Sequence, residues 1–137
     1  MHKYKVVIDV NVWVSVIIKH QLFNLLNAIK NNNITIYICD ELTVELYDVL
    51  YRPKHYKNLQ LQIDEYLNRI LFVSTFHSIK QHRFFKDCRD PDDNYLFDLA
   101  IQSQADYLVT GDKIVLETPI NPPTKIITFS EFREMFS

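Results

Sequence analysis

Four acidic residues carry the chemical interest of this 137-residue chain: Asp9, Glu45, Asp93 and Asp112. Asp9 closes the short apolar run Lys5–Asp9 (KVVID), and Asp112 follows the run Tyr107–Thr110 (YLVT) after Gly111. Glu45 stands in an amphipathic stretch, and Asp93 closes Asp90-Pro91-Asp92-Asp93. Taken singly, each has a structural explanation, because Asp routinely caps helices and turns. Taken together at one edge of a fold, they are a carboxylate cluster. Two carboxylates about 4 Å apart repel by about 4 kcal/mol at an effective dielectric of roughly 20, so a cluster persists only where protons or cations offset that cost. Oxygen donors without a Cys or His set favour hard Mg²⁺ or Mn²⁺ over zinc. A hard cation that keeps some of its water can activate that water and stabilise charge on a phosphodiester. Phosphodiester hydrolysis is the chemistry these residue types indicate.

Helical periodicity, at about 100° per residue, sorts the acids. Leu42, Leu46, Val49 and Leu50 form one apolar arc; Glu45 falls on its shoulder, while Glu41 and Asp48 lie further towards water. Asp93 shares a face with Leu96, Phe97 and Ala100, whereas Asp98 points to the opposite, solvent side. Asp90, ahead of Pro91, suffices as a helix cap, which leaves Asp93 aimed at the interior of the site. The spacing leaves open which of Asp90, Asp92 and Asp93 is a direct ligand and favours Asp93. Gly111 is the chain's one glycine, and its place before Asp112 suggests a positive φ, a close backbone approach or a simple tight turn.

These residues need elements to position them. The strand Lys5–Asp9 precedes a broad apolar helical face running from Val12 to about Lys30, stopped by Asn31-Asn32-Asn33. Ile34–Ile38 (ITIYI) is β-branched, and Asp40 is placed to cap a helix that ends near Arg52, before Pro53. A helix over Gln60–Ile70, a weak strand at Leu71–Thr75 and a helix over Asp92–Gln104 follow. Tyr107–Thr110 and Lys125–Phe129 read as further strands, with a turn-rich Pro119–Pro123 connector between them and Ser130 capping a last helix. Strands alternating with helices predict an α/β fold, a three-layer α/β/α sandwich around a mainly parallel sheet of about five strands. Sites in such sheets form at the carboxyl edge of the strands, where both Asp9 and Asp112 are expected.

Composition fits this reading. The chain is 47% hydrophobic and 23% charged, too apolar for a disordered segment. It has no linker rich enough to split it, so a single domain over residues 1–137 is expected. Fifteen Lys+Arg against seventeen Asp+Glu give a net charge of −2, which excludes a uniformly basic nucleic-acid binder but not a local basic strip. Cys39 and Cys88 form no C-x-x-C, so reduced thiols and a cytoplasmic location are expected. No apolar run approaches the roughly 20 residues of a membrane span, and with the apolar strand beginning so early no signal peptide is expected.

At this point the chain resembles the PIN-domain nucleases, especially the toxin halves of prokaryotic toxin–antitoxin pairs. The matching blocks are Ile8-Asp9-Val10-Asn11-Val12-Trp13-Val14-Ser15, Glu41–Leu46 with Val49–Lys54, Arg89–Asn94 and Ala105–Asp112, in family order, with the Ile126–Phe132 region similar as well. The resemblance implies a compact α/β sandwich and a Mg²⁺- or Mn²⁺-dependent endoribonuclease with one or two ions. It carries the acidic quartet onto Asp9, Glu45, Asp93 and Asp112, a polar position onto Asn11 and a small polar residue onto Ser15. Asp90 and Thr110 stand beside that quartet as supporting residues. It further implies a cognate antitoxin protein, which would cover the site with an apolar helix and a basic side chain, and a homodimer. Val10 stands where the family often carries Thr, a change that weakens a supporting hydrogen bond more than the metal site.

RNA needs cations beside such acids. Arg52, Lys54, His55 and Lys57, with Tyr51 and Tyr56, form one candidate strip. Lys80, Arg83, Lys86 and Arg89, with His77, His82, Phe84 and Phe85, form another in which bases could stack and phosphates pair. Two rival readings have their own signatures. A haloacid-dehalogenase-like phosphatase places Asp after its first strand, but Asp9-Val10-Asn11 lacks the second Asp and Lys113 is a poor counterpart for its lysine. A catalytically silent scaffold that binds RNA or a protein would retain the fold without cutting, and the intact acids argue against it.

Overall fold

The computed structural model describes residues 2–55, 62–79 and 85–136. Five strands, β1 (Tyr4–Ile8), β2 (Ile34–Ile38), β3 (Ser74–Phe76), β4 (Tyr107–Val109) and β5 (Lys125–Ile127), form one sheet in the order β3-β2-β1-β4-β5. Every pairing is parallel, and helices cover both faces, giving three α/β/α layers. A parallel sheet sandwiched in this way buries its central strands on both sides. Accordingly Val6, Val7 and Ile8 of β1 are wholly buried, as are Leu108 and Val109 of β4.

The chain leaves β1 for β2 on one side and later returns to place β4 on the other. The crevice outside the carboxyl ends of β1 and β4 is therefore the topological switch point, where sheets of this kind bind ligands. The register pairs Ile8 with Val109, which sets the next two residues, Asp9 and Thr110, side by side.

The helices are α1 (Val10–Ile18), α2 (Leu22–Asn31), α3 (Asp40–Leu50), α4 (Ile63–Val73), α5 (Asn94–Gln102), α6 (Lys113–Leu116) and α7 (Phe129–Met135), with a 3₁₀ turn at Pro91–Asp93. The single long helix expected from Val12 to Lys30 is two helices. They part at Lys19–Gln21, where His20 adopts φ 57°, a left-handed conformation without the glycine that would have announced it. The helix expected from Gln60 begins at Ile63 and the strand after it is Ser74–Phe76, each shifted a few residues along the chain. Cys39, not Asp40, holds the N-cap position of α3. Thr128, not Ser130, caps α7, in a reciprocal box in which Glu131 N–H donates to Thr128 Oγ1 and Thr128 N–H to Glu131 Oε1.

One buried acid also departs from expectation. Asp98 is 1% exposed, and Phe85 N–H donates to its Oδ1 at 2.7 Å. Residues 85–88 pack against α5, with the Phe85 ring stacked on Phe97 at 4.4 Å and Cys88 N–H held by Asn94 Oδ1. Helical periodicity locates the sheet-facing side of a helix but cannot see a loop packed against it.

Candidate functional site

Asp9, Glu45, Asp93 and Asp112 line one cleft of about 480 Å³. Each reaches it from a different element: the end of β1, the middle of α3, the turn before α5 and the loop after β4. Asp9 occupies the N-cap position of α1 but makes no side-chain capping bond. Its Oδ2 instead accepts the Thr110 hydroxyl at 2.8 Å, and the same hydroxyl oxygen accepts Asp112 N–H at 3.0 Å. Asp112 does cap α6, its Oδ1 accepting Ile114 N–H at 2.9 Å; this fixes the carboxylate while leaving it on the cleft wall. Thr110 thus supplies Asp9 with the hydroxyl that Val10 does not.

Glu45 accepts a hydrogen bond from the Tyr95 hydroxyl. Asp93 lies on the cleft, Asp90 caps the 3₁₀ turn by accepting Asp92 N–H, and Asp92 faces an adjoining groove beside α3. Of the three neighbouring acids, Asp93 is therefore the one in the cleft. Asn11 and Ser15, one turn apart on α1, line it as well, and Asn11 Oδ1 accepts Gly111 N–H at 3.3 Å. Gly111 itself has no positive φ, and an added Cβ would meet Asn11 Oδ1 at an ordinary 3.8 Å. The structure requires glycine there for neither reason.

The electrostatics register the crowding. Burial pushes the Asp9 carboxyl up to about 6, with Glu45 and Asp112 adding to the rise and the Thr110 hydroxyl opposing it. Burial also raises Asp93, to about 7, reinforced by Asp9, Asp90, Asp112 and Glu45. Tyr95 is pushed well above its ordinary value by burial and by Glu45, so its hydroxyl stays a donor. Among the described residues no three His, Cys, Asp or Glu groups already stand close enough together to hold one ion. The donor set nonetheless fits a hard divalent cation: it is all oxygen, converges on one cleft and includes two carboxyls that resist ionising without added positive charge.

Basic side chains flank the acids. Arg52, Lys54 and His55 line the cleft, as does Lys19. Burial, Lys54 and Arg52 all lower the His55 pKa. Of the second predicted strip, Lys80, His82, Arg83 and Phe84 lie outside the described residues, as do Tyr56 and Lys57 of the first. Lys86 and Arg89 do not line the cleft; Arg89 pairs with Glu117 at 3.3 Å instead. Phe85 stacks on Phe97 rather than standing free for bases, and His77 sets its ring edge against Tyr37. Burial raises the Cys39 thiol to about 12, far from a nucleophile.

Sequence reasoning missed Lys19 and Tyr95. Lys19 follows Asn11 and Ser15 at successive four-residue steps, a helical repeat that could have revealed it. Tyr95 gave no such signal, since its value lies in a contact with a residue fifty positions away.

A profile described as PIN domain matches residues 5–114. An uncharacterized protein of Methanocaldococcus jannaschii, MJ1680, is 34% identical over 118 residues, covering 81% of this chain and 72% of its own length. No solved structure gives a significant match. The chain belongs to the PIN-domain family, whose members are typically nucleases acting on phosphodiesters and generally use divalent metal ions. Among the described residues no helix is long and apolar enough to cross a membrane.

Proposed function

We propose that this chain is a Mg²⁺- or Mn²⁺-dependent endoribonuclease, the toxin of a toxin–antitoxin pair, working as a single domain over residues 1–137 in the cytoplasm. The observation that carries the reading is the convergence of four carboxylates from four separate elements on one cleft edged by Lys19, Arg52 and Lys54.

Asp9, Glu45, Asp93 and Asp112 would hold one or two ions; a bound cation lowers the pKa of water and offsets charge building on the phosphodiester. Thr110 fixes Asp9 and Tyr95 fixes Glu45, so the carboxylates are oriented before substrate arrives. Asn11 and Ser15 orient the phosphodiester or the attacking water. Lys19, Arg52 and Lys54 draw the RNA phosphates towards a cluster that would otherwise repel them. No side chain need act as general base.

A cognate antitoxin would silence the enzyme by laying an apolar helix over the cleft and placing a basic side chain among the acids. A homodimer would use the exposed apolar residues Phe76, in the edge strand β3, and Phe72, in the helix before it.

The test offers wild-type protein three substrates in EDTA, Mg²⁺ and Mn²⁺: mixed RNA, the same sequences as DNA, and a phosphomonoester. The proposal expects metal-dependent cutting of RNA. Phosphate release from the monoester, with phosphate trapped on Asp9, would establish the phosphatase instead, and RNA binding without cutting would establish the silent scaffold.

A further inference from the structure

The candidate cleft does not end at the acids. Asn11, Ser15 and Lys19 also line a second groove, of about 490 Å³. That groove shares Gln21, Phe129 and Arg133 with an apolar pocket of about 390 Å³ between α2 and α7. Charge changes abruptly along this path. Among the described residues the cleft holds four carboxylates, whereas no acid lines the groove or the pocket, and their charged residues are Lys19 and Arg133.

The chemistry of the lining changes with it. Hydroxyls of Ser15, Thr128 and Ser130 follow the acids, and the pocket beyond sets Asn24 and Asn27 against Phe129 and Phe132. The Arg133 guanidinium lies over the Phe129 ring at 5.3 Å from its centroid. A guanidinium laid on an aromatic ring offers a flat cationic platform on which a base can stack, and the Asn amides can both donate to and accept from a base edge. The pocket's volume falls within the roughly 300–1,000 Å³ of small-ligand sites. The PIN-domain match covers residues 5–114, which takes in Lys19 and the α2 asparagines but not Arg133.

We infer that this path seats the RNA strand on one side of the phosphodiester to be cut. Lys19 and Arg133 hold successive phosphates, and an unstacked base enters the pocket against Arg133 and Phe129. Sequence preference would then be read there, by Arg133 and the α2 asparagines, and not in the acidic cleft. The inference rests on the endoribonuclease reading and adds where its single-stranded substrate lies. The positive, acid-free path favours a polyanion with stacking bases over a protein partner.

The experiment is fluorescence anisotropy of labelled single-stranded RNA in Mn²⁺ with a non-cleavable backbone, alongside cleavage of the same sequences with a natural backbone. Wild type, Lys19→Gln, Arg133→Gln and Arg133→Lys are compared, both arginine variants changing an exposed side chain. Arg133→Gln is expected to weaken RNA binding about tenfold and to reduce the salt slope by about one. Arg133→Lys should keep the salt slope while losing part of the affinity, because an ammonium lacks the stacking plane. Lys19→Gln should also lower the salt slope. If wild type cuts RNA and all three variants bind it as wild type does, the path is not the substrate track, although the endoribonuclease reading stands. If the variants instead change only the association state or the binding of a protein partner, the surface is a protein interface and the inference is overturned. If wild type neither cuts nor binds RNA, the endoribonuclease reading falls and this one with it.

Discussion

Asp9 and Thr110 are neighbours across two parallel strands, and the Thr110 hydroxyl donates to Asp9 Oδ2 at 2.8 Å while its oxygen accepts Asp112 N–H at 3.0 Å. One buried hydroxyl thereby ties together two acids more than a hundred residues apart in sequence. The arrangement follows from strand register: Ile8 pairs with Val109, so the residues that end these two strands must meet.

Replacing Thr110 with Val keeps the shape and removes the bond. The variant should lose about 1–3 kcal/mol of stability, since a buried carboxylate loses its side-chain donor. Urea denaturation in EDTA measures the loss. Mn²⁺ affinity, read by calorimetry, should fall as well, because Asp9 is no longer held in place.

Asp9→Asn should stabilise the metal-free protein near pH 8, by about 1–3 kcal/mol. The sign follows from the raised carboxyl: folding lifts Asp9 from 3.8 to about 6, so the folded chain binds a proton that the unfolded chain releases. That contribution is full below about 4 and is lost as pH rises through about 6. The advantage of Asp9→Asn should therefore vanish at pH 4, and denaturant melts at both pH values check it.

Metal-dependent cutting should rise steeply from about pH 5 to pH 8. Asp9, at about 6, and Asp93, at about 7, must both shed protons before they ligate a cation. Raising Mn²⁺ should shift the midpoint of the rise to lower pH, because cation and proton compete for the same oxygens. A midpoint indifferent to Mn²⁺ concentration would separate the pH dependence from these acids.

Tyr95→Phe removes the hydroxyl that Glu45 accepts. Mn²⁺ affinity or RNA cleavage should drop by about 10–100-fold, the usual consequence of losing a residue that orients a ligand. Circular dichroism should show the fold retained, and added Mn²⁺ should restore part of the rate.

Much of this site was legible in the sequence because its strands are short apolar runs that end abruptly in a polar residue. Asp9 and Asp112 could be placed at one sheet edge from pattern alone, and helical periodicity turned Glu45 and Asp93 to the side from which both line the cleft. What escaped was set by contacts distant in sequence. Asp98 is buried and accepts the Phe85 amide, a contact no helical period reveals. The break between α1 and α2 falls at His20, where neither Gly nor Pro marks the left-handed residue. The basic strip near Arg89 reads as an RNA track, yet Arg89 turns to Glu117, while Lys19 lines the acidic cleft.

The most direct test compares RNA cleavage by wild type and Asp112→Asn in Mn²⁺, with both proteins shown to be folded by circular dichroism. Asp112 supplies one of the four converging carboxylates, and Asn can still accept the Ile114 amide that caps α6. The account predicts that the variant folds normally and loses at least about a hundredfold in cutting rate. A folded Asp112→Asn that cuts RNA at the wild-type rate would contradict it.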